Sequence, residues 1–372
     1  MNEYFSKSNG MSISAQRFVK ELRSMGQEVR VLAGKTEGIP DYPLAELHIP
    51  FFDGLIHRQG FHFAKAEDDV IREAVEWADL IHLEDPFIVS AHAARIAEKL
   101  HKPCTAAFHL YPENITSSIH LGWFVPLNNI LMASFRTSVY RYCSDIQCPT
   151  KFVRRRLRLH RYQSRLHVIS NGVPSEYDGR RSEKPEEYRD KFVILCVGRY
   201  SLEKRQDVLI RAAGLSGYAK KLQLIFAGQG PLERILKSMA KELPNEPVFE
   251  FFPQEKLKEV MSYSDLYVHC AQIEVEGMSC LEATAMGIVP LIADSWGSST
   301  KKFALDERSI FPSGNPKALA AGIDYWIEHE EERTVMSGKY RNAAKSCSVA
   351  ASAEKLLGMF RESAGEMKEN AK

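Results

Sequence analysis

Short apolar runs alternate with amphipathic stretches of helical period along most of the chain. In the first half, runs at 28–33, 47–52, 79–83, 104–109, 145–148 and 166–169 predict strands. In the second half, 192–197, 223–227, 248–252, 266–270 and 289–293 do the same. Strands separated by helices need right-handed crossovers and pair in parallel. The pattern therefore predicts an α/β fold of two doubly wound, Rossmann-like domains facing a cleft. Gly172, Pro174, Gly179 and Pro185 cluster with charged residues at 171–190 and mark the linker. Parallel sheets bind ligands at the carboxyl ends of their strands, so the cleft between the halves is the expected active site.

The start of the chain fits this scheme less well. Residues 14–25 predict the first helix and 6–10 the loop before it. Only Met1, Asn2, Glu3, Tyr4 and Phe5 remain for the preceding strand, which is usually central. Either that strand is short or the sequence begins late.

Composition narrows the class. A length of 372 residues predicts two domains, and 44% hydrophobic with 26% charged residues is the balance of a globular protein. No apolar run is long enough for a spanning helix, and the first residues lack the basic and apolar stretches of a secretory signal. The seven cysteines are scattered, and neither Cys143/Cys148 nor Cys270/Cys280 has zinc-ligand spacing. A reduced, cytoplasmic protein is expected.

The net charge of +1 hides an asymmetry. Nine Lys and Arg against Asp145 alone make residues 114–175 +8, which leaves −7 for the rest. The densest part holds Lys151, Arg154, Arg155, Arg156, Arg158 and Arg161. Just before it, Phe124, Leu127, Leu131, Phe135 and Val139 fall at helical spacing. Basic residues beside an amphipathic helix suit peripheral attachment to an anionic membrane, with Arg154, Arg155, Arg156 and Arg158 as the contacts. The plainer alternative is a packed helix followed by a solvated basic one. Nucleic acid is disfavoured, because no binding motif and no overall basic excess is present.

Two stretches carry candidate chemistry. In Val197-Gly198-Arg199-Tyr200-Ser201-Leu202-Glu203-Lys204 a strand ends, and two cations follow at the sheet's carboxyl edge. An Arg fork and a compact Lys charge suit a diphosphate, although surface cations are common. In the stretch 271–287 a strand ends at Cys270, a loop carries Glu274, Glu276 and Gly277, and a helix begins near Ser279 and stops at Gly287. The free amides of that helix favour a phosphate. Glu274 and Glu282 can accept hydrogen bonds from a sugar and a ribose, although acids at a helix start also complement its dipole.

Glu274-x7-Glu282, followed by Ala283-x3-Gly287-x2-Pro290, resembles the signature of family 4 retaining glycosyltransferases of the GT-B fold. The resemblance extends to 17–29, Ile169-Ser-Asn171-Gly172-Val173, Val197-Gly198-Arg199 with Lys204, and Ala227-Gly228-Gln-Gly230-Pro231. It implies domains at 1–173 and 174–352, the first on the acceptor side and the second holding the nucleotide sugar, with a final helix at about 353–372 crossing back to the first. It assigns the donor diphosphate to Arg199, Lys204, Met278, Ser279 and the loop at Gly10. It assigns the donor sugar to Glu274 and Gly277, the ribose to Glu282, and a place beside the donor sugar to His109. His109 and Glu274 are then the catalytic candidates. No Asp-x-Asp motif is present, and neither a metal nor another cofactor is expected.

Two features depart from the family pattern or narrow it. Glu276 stands where an aromatic is usual, and 295–308 lacks the commoner glycine-rich loop. Together with Phe108-His109-Leu-Tyr-Pro112-Glu113-Asn114-Ile115-Thr116, that stretch is similar to a bacterial subgroup that glycosylates diacylglycerol or cell-surface glycans. The expected reaction is retaining transfer of a hexose from a UDP-sugar to a lipid or glycan. A soluble-glycan acceptor, a nucleotide-sugar 2-epimerase and an inactive nucleotide-sugar-binding scaffold are the alternatives.

Overall fold

The computed structural model describes residues 1–50, 53–54 and 61–370, with side chains to residue 365 in the last helix. The chain divides into two compact units: Met1–Asn171 with Val349–Lys372, and Gly172–Ser348. Each is a parallel α/β unit.

In the first unit, β1 (Leu32–Gly34) pairs with β2 (Tyr42–Leu44). A second sheet follows the order β3-β4-β5-β6, from Ile81–Leu83, Cys104–Ala107, Asp145–Cys148 and Arg165–Val168. The expected strand at residues 1–5 does not form. Instead the Met1 amine donates to Leu32 O at 3.0 Å and Gly34 N–H to Asn2 O at 3.0 Å. Asn2 is held on its other side by Asp85, which accepts its backbone N–H at 2.8 Å and its side-chain amide at 3.0 Å. Met1 and Asn2 thus bond to β1 through their backbones without forming a ladder, and the Asp85 side chain fixes Asn2. The expected strand at 47–52 is also absent from its described part: Leu47 N–H reaches Phe63 O at 2.7 Å, beside an isolated antiparallel bridge between Glu46 and Ala64. Residues 51 and 52 lie outside the described residues.

The first helix, Gly10–Ser24, begins four residues earlier than its apolar period suggested, because Asn9 caps it by accepting from Met11 N–H at 3.0 Å. Phe18 and Leu22 on this helix pack with Ala353, Leu356 and Met359 of the last helix, Val349–Asn370.

The second unit holds one six-stranded parallel sheet in the order β14-β12-β10-β7-β8-β9. Its strands are β7 (Phe192–Val197), β8 (Leu222–Ala227), β9 (Val248–Glu250), β10 (Leu266–His269), β12 (Val289–Asp294) and β14 (Ile310–Pro312). Ile194 and Cys196 of β7 enter one core and Val193 and Leu195 the other, so the sheet is buried on both faces. From one edge to the other, the chain order runs third, second, first, fourth, fifth, sixth. The strand order reverses between β7 and β10, which places the crevice of a doubly wound sheet at their carboxyl ends. A small side pair, β11 (Ile273–Glu274) with β13 (Gly297–Ser298), extends from that edge.

Candidate active site

The residues singled out in the second half gather at this reversal. Arg199 and Lys204 follow β7, and Glu274 follows β10. Lys204 closes the short turn Leu202–Lys204, and its Nζ lies 2.5 Å from Glu274 Oε2. Burial pushes the Glu274 carboxyl up, but the Lys204 ammonium and His269 beside it outweigh burial and hold it well below the usual carboxylate range. Glu274 is therefore an ionised acceptor in a mostly buried site. Arg199 leans on buried Glu203, with Nη2 3.2 Å from Oε1, and its carbonyl accepts from Gln206 Nε2 at 2.9 Å. The Glu203 carbonyl accepts from Gln272 N–H at 2.7 Å, which joins the turn after β7 to the loop after β10.

Gly277 caps the helix Met278–Ala285 with φ 81°, and a Cβ there would stand 2.6 Å from Thr300 Oγ1. Only glycine meets both demands. Met278 and Ser279 begin the helix, so their amides have no intrahelical acceptor. Glu282 lies one turn on, buried. Gly287, φ 75°, ends the helix in the left-handed conformation. Glu276 turns inward, where Lys302 Nζ meets its Oε1 at 2.9 Å. An ion pair thus occupies the place of the usual aromatic, and the segment that lacks the glycine-rich loop supplies both Lys302 and Thr300.

In the first unit, His109 follows β4 and Glu84 follows the neighbouring β3, with His109 Nε2 3.0 Å from Glu84 Oε2. Burial raises the Glu84 carboxyl, yet His109 and His82 together bring it below its ordinary value. Gly10 is the exposed first residue of its helix.

The basic segment needs one correction. Arg156 does not face outward with Arg155 and Arg158: it pairs with buried Glu113 and stacks 4.2 Å above the Tyr111 ring. Arg154 is half-buried, while Arg155 and Arg158 are exposed. Of the expected stripe, Phe135 and Val139 are buried, beside Asn128 and Met132 of the helix Val125–Ser138, whereas Leu127 and Leu131 are half-buried and Phe124 is exposed. Ile119, Trp123, Phe124, Val125 and Ile130 are exposed, Trp123 by 73%. Among the described residues no helix is long and apolar enough to cross a membrane.

Sequence reasoning missed Glu84, Glu203, His269, Tyr267 and Thr300. Glu203 sits inside a stretch that was singled out, and Glu84 follows a predicted strand. His269 and Tyr267 are hidden within an apolar run, where period alone marks them as core.

Comparison with known proteins bears on the fold and the family. Residues 8–177 match the family model for Glycosyltransferase Family 4, and residues 179–343 that for Glycosyl transferases group 1. A GDP-mannose-dependent alpha-mannosyltransferase of Corynebacterium glutamicum is 27% identical over 296 residues, 75% of this chain and 68% of that one. An alpha-monoglucosyldiacylglycerol synthase of Streptococcus pneumoniae is 24% identical over 311 residues, 78% of this chain and 69% of the other. In fold, Anabaena HepE, solved with UDP and glucose, superposes with a TM-score of 0.74 at 15% identity, covering 96% of this chain and 97% of its own. Between them the two family matches take in nearly the whole chain, one on each unit, and the protein belongs to the family 4 type of GT-B glycosyltransferases.

Proposed function

We propose that the protein transfers a hexose from a nucleotide sugar, UDP-glucose or a close relative, to a lipid or cell-surface glycan, with retention at the anomeric carbon. The observation that carries this reading is the meeting of Lys204 and Glu274 where the strand order reverses. Glu274 accepts hydrogen bonds from the sugar hydroxyls, and Glu282 from the ribose. Negative charge grows on the departing diphosphate, and Lys204, Arg199 and the amides of Met278 and Ser279 stabilise it. No nucleophile paired with a general base is needed if the leaving phosphate helps deprotonate the acceptor on the same face, the route that the family resemblance implies. His109 and Gly10 keep the donor-side roles given by the same resemblance, and the positive charge in this scheme comes from protein groups alone.

The S. pneumoniae relative, an alpha-monoglucosyldiacylglycerol synthase by name, favours a lipid acceptor, and the C. glutamicum relative makes GDP-mannose the main rival donor. The exposed apolar residues from Ile119 to Ile130, with Arg155 and Arg158 outward on the helix Lys151–Leu159, favour peripheral attachment to the inner face of the cell membrane. Nucleotide release is measured from a panel of UDP- and GDP-sugars, with and without diacylglycerol vesicles, and products are identified by mass spectrometry and anomeric NMR. An α-linked glycolipid formed from an α-linked donor supports the reading. Release that ignores every acceptor, an inverted product or an epimerised donor overturns it.

A further inference from the structure

His269 ends β10 and is 3% exposed, so both ring nitrogens must be satisfied from within the protein. Nδ1 lies 3.3 Å from the Tyr267 hydroxyl. Nε2 lies 3.2 Å from Thr300 Oγ1 and 3.5 Å from Glu274 Oε2. The Tyr267 hydroxyl in turn lies 2.9 Å from Ser279 Oγ. Two side chains, His269 and Tyr267, therefore connect Glu274, the sugar carboxylate, with Ser279 at the open end of the helix, and Thr300 joins them at Nε2. The chain runs beneath Gly277, because Thr300 is also the residue packed against that glycine.

We propose that His269 is a positioning residue for glycosyl transfer: it fixes the Glu274 carboxylate from behind and, through Tyr267, orients the Ser279 hydroxyl. The proposal rests on the donor-site reading above and deepens it. Its logic is the direction of the hydrogen bonds. A carboxylate oxygen accepts only, so the ionised Glu274 selects the imidazole form with hydrogen on Nε2. That hydrogen is shared between Glu274 and Thr300. Nδ1 is then an acceptor and takes the Tyr267 hydroxyl hydrogen. The Tyr267 oxygen can in turn accept the hydrogen of Ser279. The Ser279 hydroxyl is thereby turned inward, and the helix end meets the diphosphate with its backbone amides. Lys204 pulls on Glu274 from one side and His269 on the same oxygen from the other, which leaves Oε1 for the sugar.

The variants separate the parts. In His269→Gln the side-chain amide can still donate where Nε2 does, whereas His269→Leu has no donor. Binding and turnover are measured with UDP-glucose and UDP, or with GDP-mannose and GDP, whichever pair the wild type uses. His269→Leu should lower kcat by about tenfold to a hundredfold and weaken the nucleotide sugar, with the bare nucleotide bound within about twofold of wild type. His269→Gln should restore most of kcat. Equal weakening of nucleotide and nucleotide sugar, or no difference between Gln and Leu, would overturn the proposal. Glu274→Ala is the control: if it too is as active as wild type, the donor-site reading has failed. If it is inactive while His269→Leu keeps wild-type kcat, only the role of His269 is refuted.

Discussion

Lys204 Nζ and Glu274 Oε2 are 2.5 Å apart although 70 residues separate them in sequence. The contact spans the carboxyl ends of β7 and β10, so the fold itself creates the pair. Its consequence is electrostatic. Burial alone favours a protonated Glu274, and the neighbouring cation reverses that. Lys204→Ala should therefore raise the carboxyl's pKa, and the acid limb of the pH–rate profile should move upward. Rate profiles of wild type and variant check this, and an unmoved acid limb would show that Lys204 does not set the charge on Glu274.

Gly277→Ala should cost about 1–3 kcal/mol of stability, since alanine at φ 81° is strained and its Cβ meets Thr300. Turnover should fall with it, because the shift moves the amides of Met278 and Ser279. Urea unfolding and kcat measured together test both parts; wild-type stability would mean that the loop relaxes freely.

Arg156 and its neighbours should behave in opposite ways. Replacing Arg156 by Ser leaves buried Glu113 without its cation and should destabilise the first unit by about 3 kcal/mol. Replacing Arg154, Arg155 and Arg158 should leave stability nearly unchanged but weaken flotation with anionic vesicles, at about 1 kcal/mol per residue. Flotation that ignores lipid charge, salt and these substitutions rejects the membrane reading and leaves the transferase assignment intact.

Glu3 gives a pH test of the first unit. Burial pushes its carboxyl up to about 7, against the pull of Asn9 and the His62 amide. A raised acid pKa means that the folded chain holds its proton more tightly than the unfolded chain. This contribution is full below about pH 4.5 and is lost as pH rises towards 7. His82, lowered to about 4 by burial, works in the opposite sense over an overlapping range. The difference between wild type and Glu3→Gln isolates Glu3: wild type should lose stability relative to the variant as pH rises from 4.5 to 7. A constant difference would refute it.

Legibility in the sequence followed burial. The strand at 192–197 was read to the residue, and 266–270 and 289–293 to within one, because these strands are buried on both faces and read as unbroken apolar runs. The first unit was harder. Tyr42–Leu44 has three residues and a proline, and Asn2 is held by the side chain of Asp85, a contact without periodic signature. In the candidate site, Arg199, Lys204, Glu274 and Glu282 were legible because motif spacing fixed them. Arg156 misled because sequence shows a run of charge but not which member turns inward. His269 was illegible because its partners Glu274, Ser279 and Thr300 come from segments that only the folded sheet edge brings together.

The most direct test of the donor site is turnover of nucleotide sugar with acceptor by wild type, Glu274→Ala and Glu276→Ala. In the proposed reading Glu274 holds the sugar, whereas Glu276 is paired with Lys302. Glu274→Ala should lower kcat by about 10²–10³, the scale for losing a positioned electrostatic group, and Glu276→Ala should fall far less. Near-wild-type turnover by Glu274→Ala, or equal losses in the two variants, would contradict the account.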